Sequence, residues 1–349
     1  MGAAAARSAG TDIFGLALGQ PAVVGFSPAW NRAVLSDLET FRSRGSFSSL
    51  VPYLNGGVIV TDAPSHAQTR RRLNPAFGPR GLAGVRRAVA QAVPPFPAEP
   101  TDALAWADHT VRDLLNTAYF SGEFDPALLQ RFLAPLRRPF PAPMWLAPTV
   151  LAAVRRELRR LGHLRLKQPR DDLLTALVRL DGGLLEARIS LAAAHDTTTH
   201  ALAYALWHLA QDPQYHLPEQ HPTVIREVLR LYPPGWMGSR RLAHDLDWQG
   251  HQLARGTLVL YSTYLTHRAP EWWDRPLDFW PERWQHKPAA WSYLPFGGGE
   301  RTCLGLHLAQ LILGETLAQL PPLRSLTGHP GPLPGLTLGP RGPLWVRRD

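Results

Sequence analysis

The chain has 349 residues, 45% of them hydrophobic, and a formal net charge of +9. This composition supports one large globular core or two ordinary ones and excludes a disordered chain. Cys303 is the only cysteine, which excludes an internal disulfide and a cysteine-only zinc site and points to the reducing cytoplasm.

The basic charge is almost entirely arginine, Lys167 and Lys287 being the only lysines. It is spread along the chain without a nucleic-acid-binding motif, so it argues for an acidic protein partner and against nucleic acid. Residues 1–20 are rich in small side chains and lack the basic start and long apolar run of a signal peptide; they read as a flexible N-terminus. No stretch approaches the ~18 apolar residues of a membrane span, which argues against a transmembrane anchor.

Residues 21–27 read as a short strand and 28–44 as a helix. A glycine turn leads into the short apolar segment 55–60. A helix over 65–77 is interrupted at Pro75, and the proline-rich stretch 93–101 is loop. Helical periodicity returns over 101–120 and 127–138, then breaks at 139–148 on four prolines. Residues 149–167 form a basic amphipathic helix, 171–180 another, and 184–211 one long, mostly apolar helix. The helix over 221–234 stops at Pro233 and Pro234. Short strands and turns occupy 238–265, an aromatic and proline-rich meander 270–295, a final helix 304–320, and strand candidates the tail. There is no internal repeat and no linker between cores. The order predicts a mainly α fold with a small β region, as a single domain over 21–349.

The sequence "FGGGERTCLG" (Phe296–Gly305) places Cys303 in a glycine loop that runs into a helix. Backbone N–H groups and the positive helix end converge there and favour thiolate over thiol. Such a sulfur could be a nucleophile, a metal ligand or inert packing. His307 lies four residues on, without a cysteine-protease signature around it, and the Lys-Ser/Thr ending of a phosphate loop is missing.

That loop resembles the haem-binding loop of the cytochrome P450 family, in which Phe, Gly, Arg, Cys and Gly recur at the spacing of Phe296, Gly299, Arg301, Cys303 and Gly305. The resemblance implies that Cys303 is the axial thiolate of haem iron, with the iron of haem b as the bound metal. It extends through four further stretches in the same order along the chain. "EVLR" and "FWPERW" resemble the Glu-x-x-Arg helix and the meander arginine, implying a structural trio of Glu227, Arg230 and Arg283. "AAHDTT" resembles the distal-helix motif, implying an acid and an alcohol, Asp196 and Thr197, that pass protons; Ala194 stands where glycine is common in the family. "SHAQTR" resembles the His-x-x-x-Arg helix, implying that His66 and Arg70, with Arg301 and Arg240, serve the haem propionates. Arg241 is the neighbour competing for the last role.

The implied fold is that of a short cytochrome P450, with the segment before the distal helix compressed. The implied activity is a haem-thiolate monooxygenase that hydroxylates a hydrophobic small molecule with O₂. No flavin or iron–sulfur motif is present, so electrons are expected from a separate acidic ferredoxin or flavodoxin-type donor. A peroxide-driven or rearranging haem-thiolate enzyme, a haem-binding sensor without turnover and a cysteine hydrolase are the alternatives. Trp236 and Met237 are candidate substrate contacts, or core.

Overall fold

The computed structural model describes residues 2–47, 51–138 and 147–349. The chain opens with α1 (Gly2–Ser8) and β1 (Ile13–Ala17), followed by β2 (Pro21–Gly25). The segment expected to be flexible is thus tied down: Ala3 and Ala6 pack on Phe26, and β1 pairs antiparallel with β2 from Ile13↔Gly25 to Ala17↔Pro21.

Helix α2 (Pro28–Ser36) starts at an N-cap where Ser27 Oγ accepts from the Trp30 amide. It is shorter than the predicted 28–44. The Asp37 carboxylate accepts from the amides of Glu39 and Thr40, and this turn outcompetes further helix. Strand β3 (Phe41–Arg42) follows, then α3 (Ser65–Phe77), α4 (Ala83–Ala92) and β4 (Thr101–Asp102). Helix α3 continues past Pro75, contrary to the predicted interruption. A proline in the last turn removes a single backbone donor, and the helix ends two residues later at Phe77, with Gly78 as its C-cap.

Helices α5 (Ala103–Phe120), α6 (Pro126–Leu133), α7 (Pro148–Lys167), α8 (Leu173–Leu177), α9 (Gly183–Leu209) and α10 (His221–Leu231) build the main body. The predicted proline break at 139–148 falls mostly outside the described residues. Strands β5 (Gly238–Leu242), β6 (Leu246–Trp248), β7 (His251–Leu253) and β8 (Leu258–Tyr261) come next, then α11 (Thr263–Thr266), α12 (Leu306–Leu317), and β9 (Leu323–Gly328), β10 (Pro332–Pro334), β11 (Leu338–Pro340) and β12 (Leu344–Arg348).

The largest sheet has the order β1-β2-β8-β5-β3, with β2 and β8 parallel. A three-stranded sheet runs β4-β12-β9, and β6–β7 and β10–β11 are hairpins. Helix α9 is the axis of the body. It carries buried residues on all sides, as a helix without an apolar stripe must when packed all round. Helices α5, α10 and α12 and the β10–β11 hairpin pack against it. Among the described residues, no helix is long and apolar enough to cross a membrane.

Candidate active site

The cysteine turn is shaped by its glycines. Gly297 and Gly299 have φ of +69° and +60°, the left-handed region that side chains with a Cβ disfavour. A Cβ on Gly299 would lie 2.8 Å from the Leu35 carbonyl oxygen, and one on Gly298 2.6 Å from the Trp291 ring. The turn is therefore pressed onto the end of α2 and onto Trp291. The Cys303 amide donates to the Phe296 carbonyl at 2.8 Å, closing the loop that holds the thiol.

Cys303 is exposed by surface area, yet burial is the largest influence on its thiol and pushes its pKa up; the Gly305 amide and Arg70 pull it down. A sulfur facing an interior slot walled by protein satisfies both observations. The expectation that the loop alone favours thiolate is corrected: α12 begins only at Leu306, and desolvation outweighs the local donors. Gly305 leaves the sulfur room, a Cβ there reaching only to 4.0 Å from Sγ.

Around this slot the structure gathers His66, Arg70, Arg240 and Arg301. Burial, then Arg301, Arg70 and Arg240, lower His66 to about 4, so its imidazole is neutral. Burial and Arg240 push Arg301 down to about 10, against the attraction of Asp62. Asp62 is the acid that meets this group, 3.2 Å from Arg301; it also accepts from the amides of Ser43 and Arg44. Among the described residues, His66 Nδ1, Arg240 Nε, and Arg301 Nε and Nη1 are buried without a hydrogen-bond partner. Arg241 points elsewhere, donating to Gly45 and Gly256 carbonyls and to Gln20, so Arg240 is the arginine that joins the cluster.

Glu227 and Arg230 lie one turn apart on α10, both fully buried. Arg230 donates to both carboxylate oxygens, at 3.0 and 2.8 Å. Arg283 donates from Nε to Glu227 Oε1 at 3.0 Å, so the predicted trio is assembled. The two guanidiniums also grip the carbonyls of His267, Pro276, Asp278, Asp274 and Arg275, which pins the start of the meander to α10.

On α9, Thr197 donates its hydroxyl to the Ala193 carbonyl at 2.8 Å, with Ala194 O at 3.3 Å. Asp196 is buried and turned toward the β10–β11 turn, where Thr337 bonds it. Asp196 and Thr197 therefore have different surroundings on adjacent helix positions. Ala194 packs against the main core. Met237 packs on Ala22, Val24, Leu258 and Leu260, a core role, whereas Trp236 is tied to the same hairpin turn through the Gly335 carbonyl at 3.1 Å.

The sequence reading missed Asp62, Trp291, Thr337 and His200. Only His200 carried a signal, its i+4 spacing from Asp196.

Comparison with known proteins follows the same residues. A family model, Cytochrome P450, matches residues 222–320. The chain is 28% identical to Putative cytochrome P450 139 of Mycobacterium bovis, over 83% of this chain and 82% of the relative. It is also 28% identical to Cyclooctat-9-en-7-ol 5-monooxygenase of Streptomyces melanosporofaciens, over 89% and 80%. A solved 6-coordinated cytochrome P450 from Thermus thermophilus superposes with a TM-score of 0.80 at 26% identity, over 98% of this chain and 96% of that one. Sequence over most of the chain and fold over nearly all of it lead to the same place: the chain is similar throughout its length to cytochrome P450 proteins, as its cysteine loop implied.

Proposed function

We propose that the protein binds haem b, that Cys303 would supply the thiolate ligand to its iron, that His66, Arg70, Arg240 and Arg301 would hold its propionates, and that Asp196 and Thr197 would deliver protons. The carrying observation is the cluster around the sulfur: an accessible Cys303 beside buried nitrogens of His66, Arg240 and Arg301 that have no partner among the described residues. Buried unpaired donors on a cationic wall are what two carboxylates satisfy. The residues present fit the group.

Bound there, haem would supply the oxygen-activating chemistry, with thiolate donation favouring O–O cleavage. The protein's part is positional and electrostatic. Burial raises the Cys303 thiol pKa and Arg70 opposes this, so a bound iron would supply the remaining pull toward thiolate. Phe296 and the glycines fix the sulfur's approach. Glu227, Arg230 and Arg283 keep the start of the meander rigid. The substrate is a hydrophobic small molecule, and electrons come from an acidic ferredoxin or flavodoxin-type donor in a cytoplasmic setting.

The test is expression with haem supplementation, reduction and carbon monoxide, repeated with Cys303→Ala. A strongly red-shifted Soret band, lost in the variant, is expected. Well-folded protein that takes up no haem, or a band unchanged in Cys303→Ala, would overturn the reading.

A further inference from the structure

We propose that His200 and Thr337 form a proton relay that loads Asp196, with Thr337 the switchable link and His200 the donor. The inference rests on the reading of Asp196 as the residue that passes protons, and both are positioning residues acting through it.

The geometry is a closed set of three polar side chains under the β10–β11 turn. Thr337 Oγ1 bonds Asp196 Oδ2 and lies 2.9 Å from His200 Nδ1. His200 Nε2 is 3.8 Å from the second oxygen, Asp196 Oδ1, which is buried without a hydrogen-bond partner. A hydroxyl has one proton. When Asp196 is ionised it can only accept, so Thr337 spends its proton there and must accept from His200; Nδ1 then carries hydrogen. When Asp196 is protonated the direction reverses, and Nδ1 is the acceptor. The same heavy-atom positions serve both states.

The step balances without another reactant. Imidazolium His200 gives its Nδ1 proton to the Thr337 oxygen as the Thr337 proton passes to the Asp196 carboxylate. One N–H and one O–H bond break, two O–H bonds form, and His200 is left neutral with hydrogen on Nε2. Solvent restores the imidazolium proton; Thr337 lies partly exposed at the hairpin turn.

The surroundings disfavour the His200 imidazolium and so make it, once formed, a strong and short-lived donor. Burial lowers its pKa most, Asp196 opposes this, and Arg137 and His195 lower it further while Asp108 raises it. Arg137 and His195 are themselves held by Asp108 at 2.9 and 3.2 Å. These groups come from α9, from α5 and from the turn after α6. The hairpin adds Thr337 and Gly339, whose backbone touches the imidazole so closely that a Cβ would lie 2.5 Å from the ring.

Nitrogen-15 NMR of histidine-labelled protein reads the relay directly. The wild type is expected to show His200 with hydrogen on Nδ1 near neutral pH, Thr337→Val to lose that preference, Thr337→Ser to restore it, and Asp196→Asn to lower the His200 pKa further. The haem-loaded enzyme supplies the second readout, with a surrogate ferredoxin and reductase and NADPH. Thr337→Val and His200→Gln should slow oxygen-dependent turnover by roughly tenfold, short of the 10²–10⁴ of a full general acid, and move the acid limb of its pH profile, with Thr337→Ser near wild type. A His200 tautomer and pH profile indifferent to Thr337→Val would overturn the relay. If the wild type shows no thiolate-type spectrum, the proposed function fails instead, and the NMR result still decides whether the three side chains exchange a proton.

Discussion

Glu227 and Arg230 share two hydrogen bonds inside a core that admits no water to either, and the same Glu227 oxygen also receives Arg283. Removing one member of a buried ion pair strands the other, a cost of about 3–5 kcal/mol. Glu227→Ala leaves two stranded guanidiniums and should fall at the upper end. Arg230→Lys keeps a charge but not a fork that reaches both carboxylate oxygens and three carbonyls. Denaturant midpoints and haem retention check this; a Glu227→Ala protein as stable as wild type would remove the trio from its structural role.

Gly299 predicts a second effect. Gly299→Ala meets both a positive φ and the Leu35 carbonyl, so the cost is about 1–3 kcal/mol, with faster haem release. Gly314→Ala is the matched control, lying inside α12 with open space around its would-be Cβ; it should stabilise by about 1 kcal/mol through helix propensity. Thermal denaturation of both variants separates loop strain from a general intolerance of alanine.

Acid sensitivity follows from two interior histidines. Burial lowers both His208 and His267 to about 3. His267 Nε2 accepts from the Leu294 amide at 2.7 Å while Nδ1 lies 3.1 Å from the Arg230 carbonyl, so a proton on Nε2 must break the Leu294 bond. The unfolded chain binds protons below about pH 6.5 that the native state refuses. The stabilisation is complete above that pH and is lost as the pH falls toward 3, at up to ~1.4 kcal/mol per unit for each histidine. Urea midpoints at pH 7.5 and 5 should differ accordingly, and His208→Phe should flatten the slope. Equal midpoints would contradict it.

What could be read in the sequence was what is local. The cysteine turn, the Glu227–Arg230 spacing and the His66–Arg70 pair each lie within a turn or two of chain, and fixed spacing carries them. Helix ends were less legible, because Asp37 stops α2 with its own side chain and α3 runs on through Pro75. The sign of the Cys303 shift was not legible at all: burial is a property of the whole fold. The partner of Asp196 could not be found either, since Thr337 reaches it from a hairpin 141 residues away.

Electron delivery gives the last prediction. Helices α3 and α4 pack on α12, which leaves the cysteine turn directly. Their outer faces expose Arg71, Arg72, Arg86 and Arg87, while Arg70 and His66 of the same α3 turn inward to the slot. One helix therefore sets charge on both sides of the site. An acidic carrier arriving here gains from long-range attraction that salt screens. Raising salt from about 50 to about 500 mM should slow first-electron transfer from an acidic ferredoxin by roughly tenfold, with the carbon monoxide spectrum unchanged. Arg72→Glu with Arg87→Glu should reproduce much of that loss at low salt and leave peroxide-supported turnover intact. Rates indifferent to both salt and charge reversal would place the carrier on another face, since attraction between unlike charges cannot be salt-independent at an exposed surface.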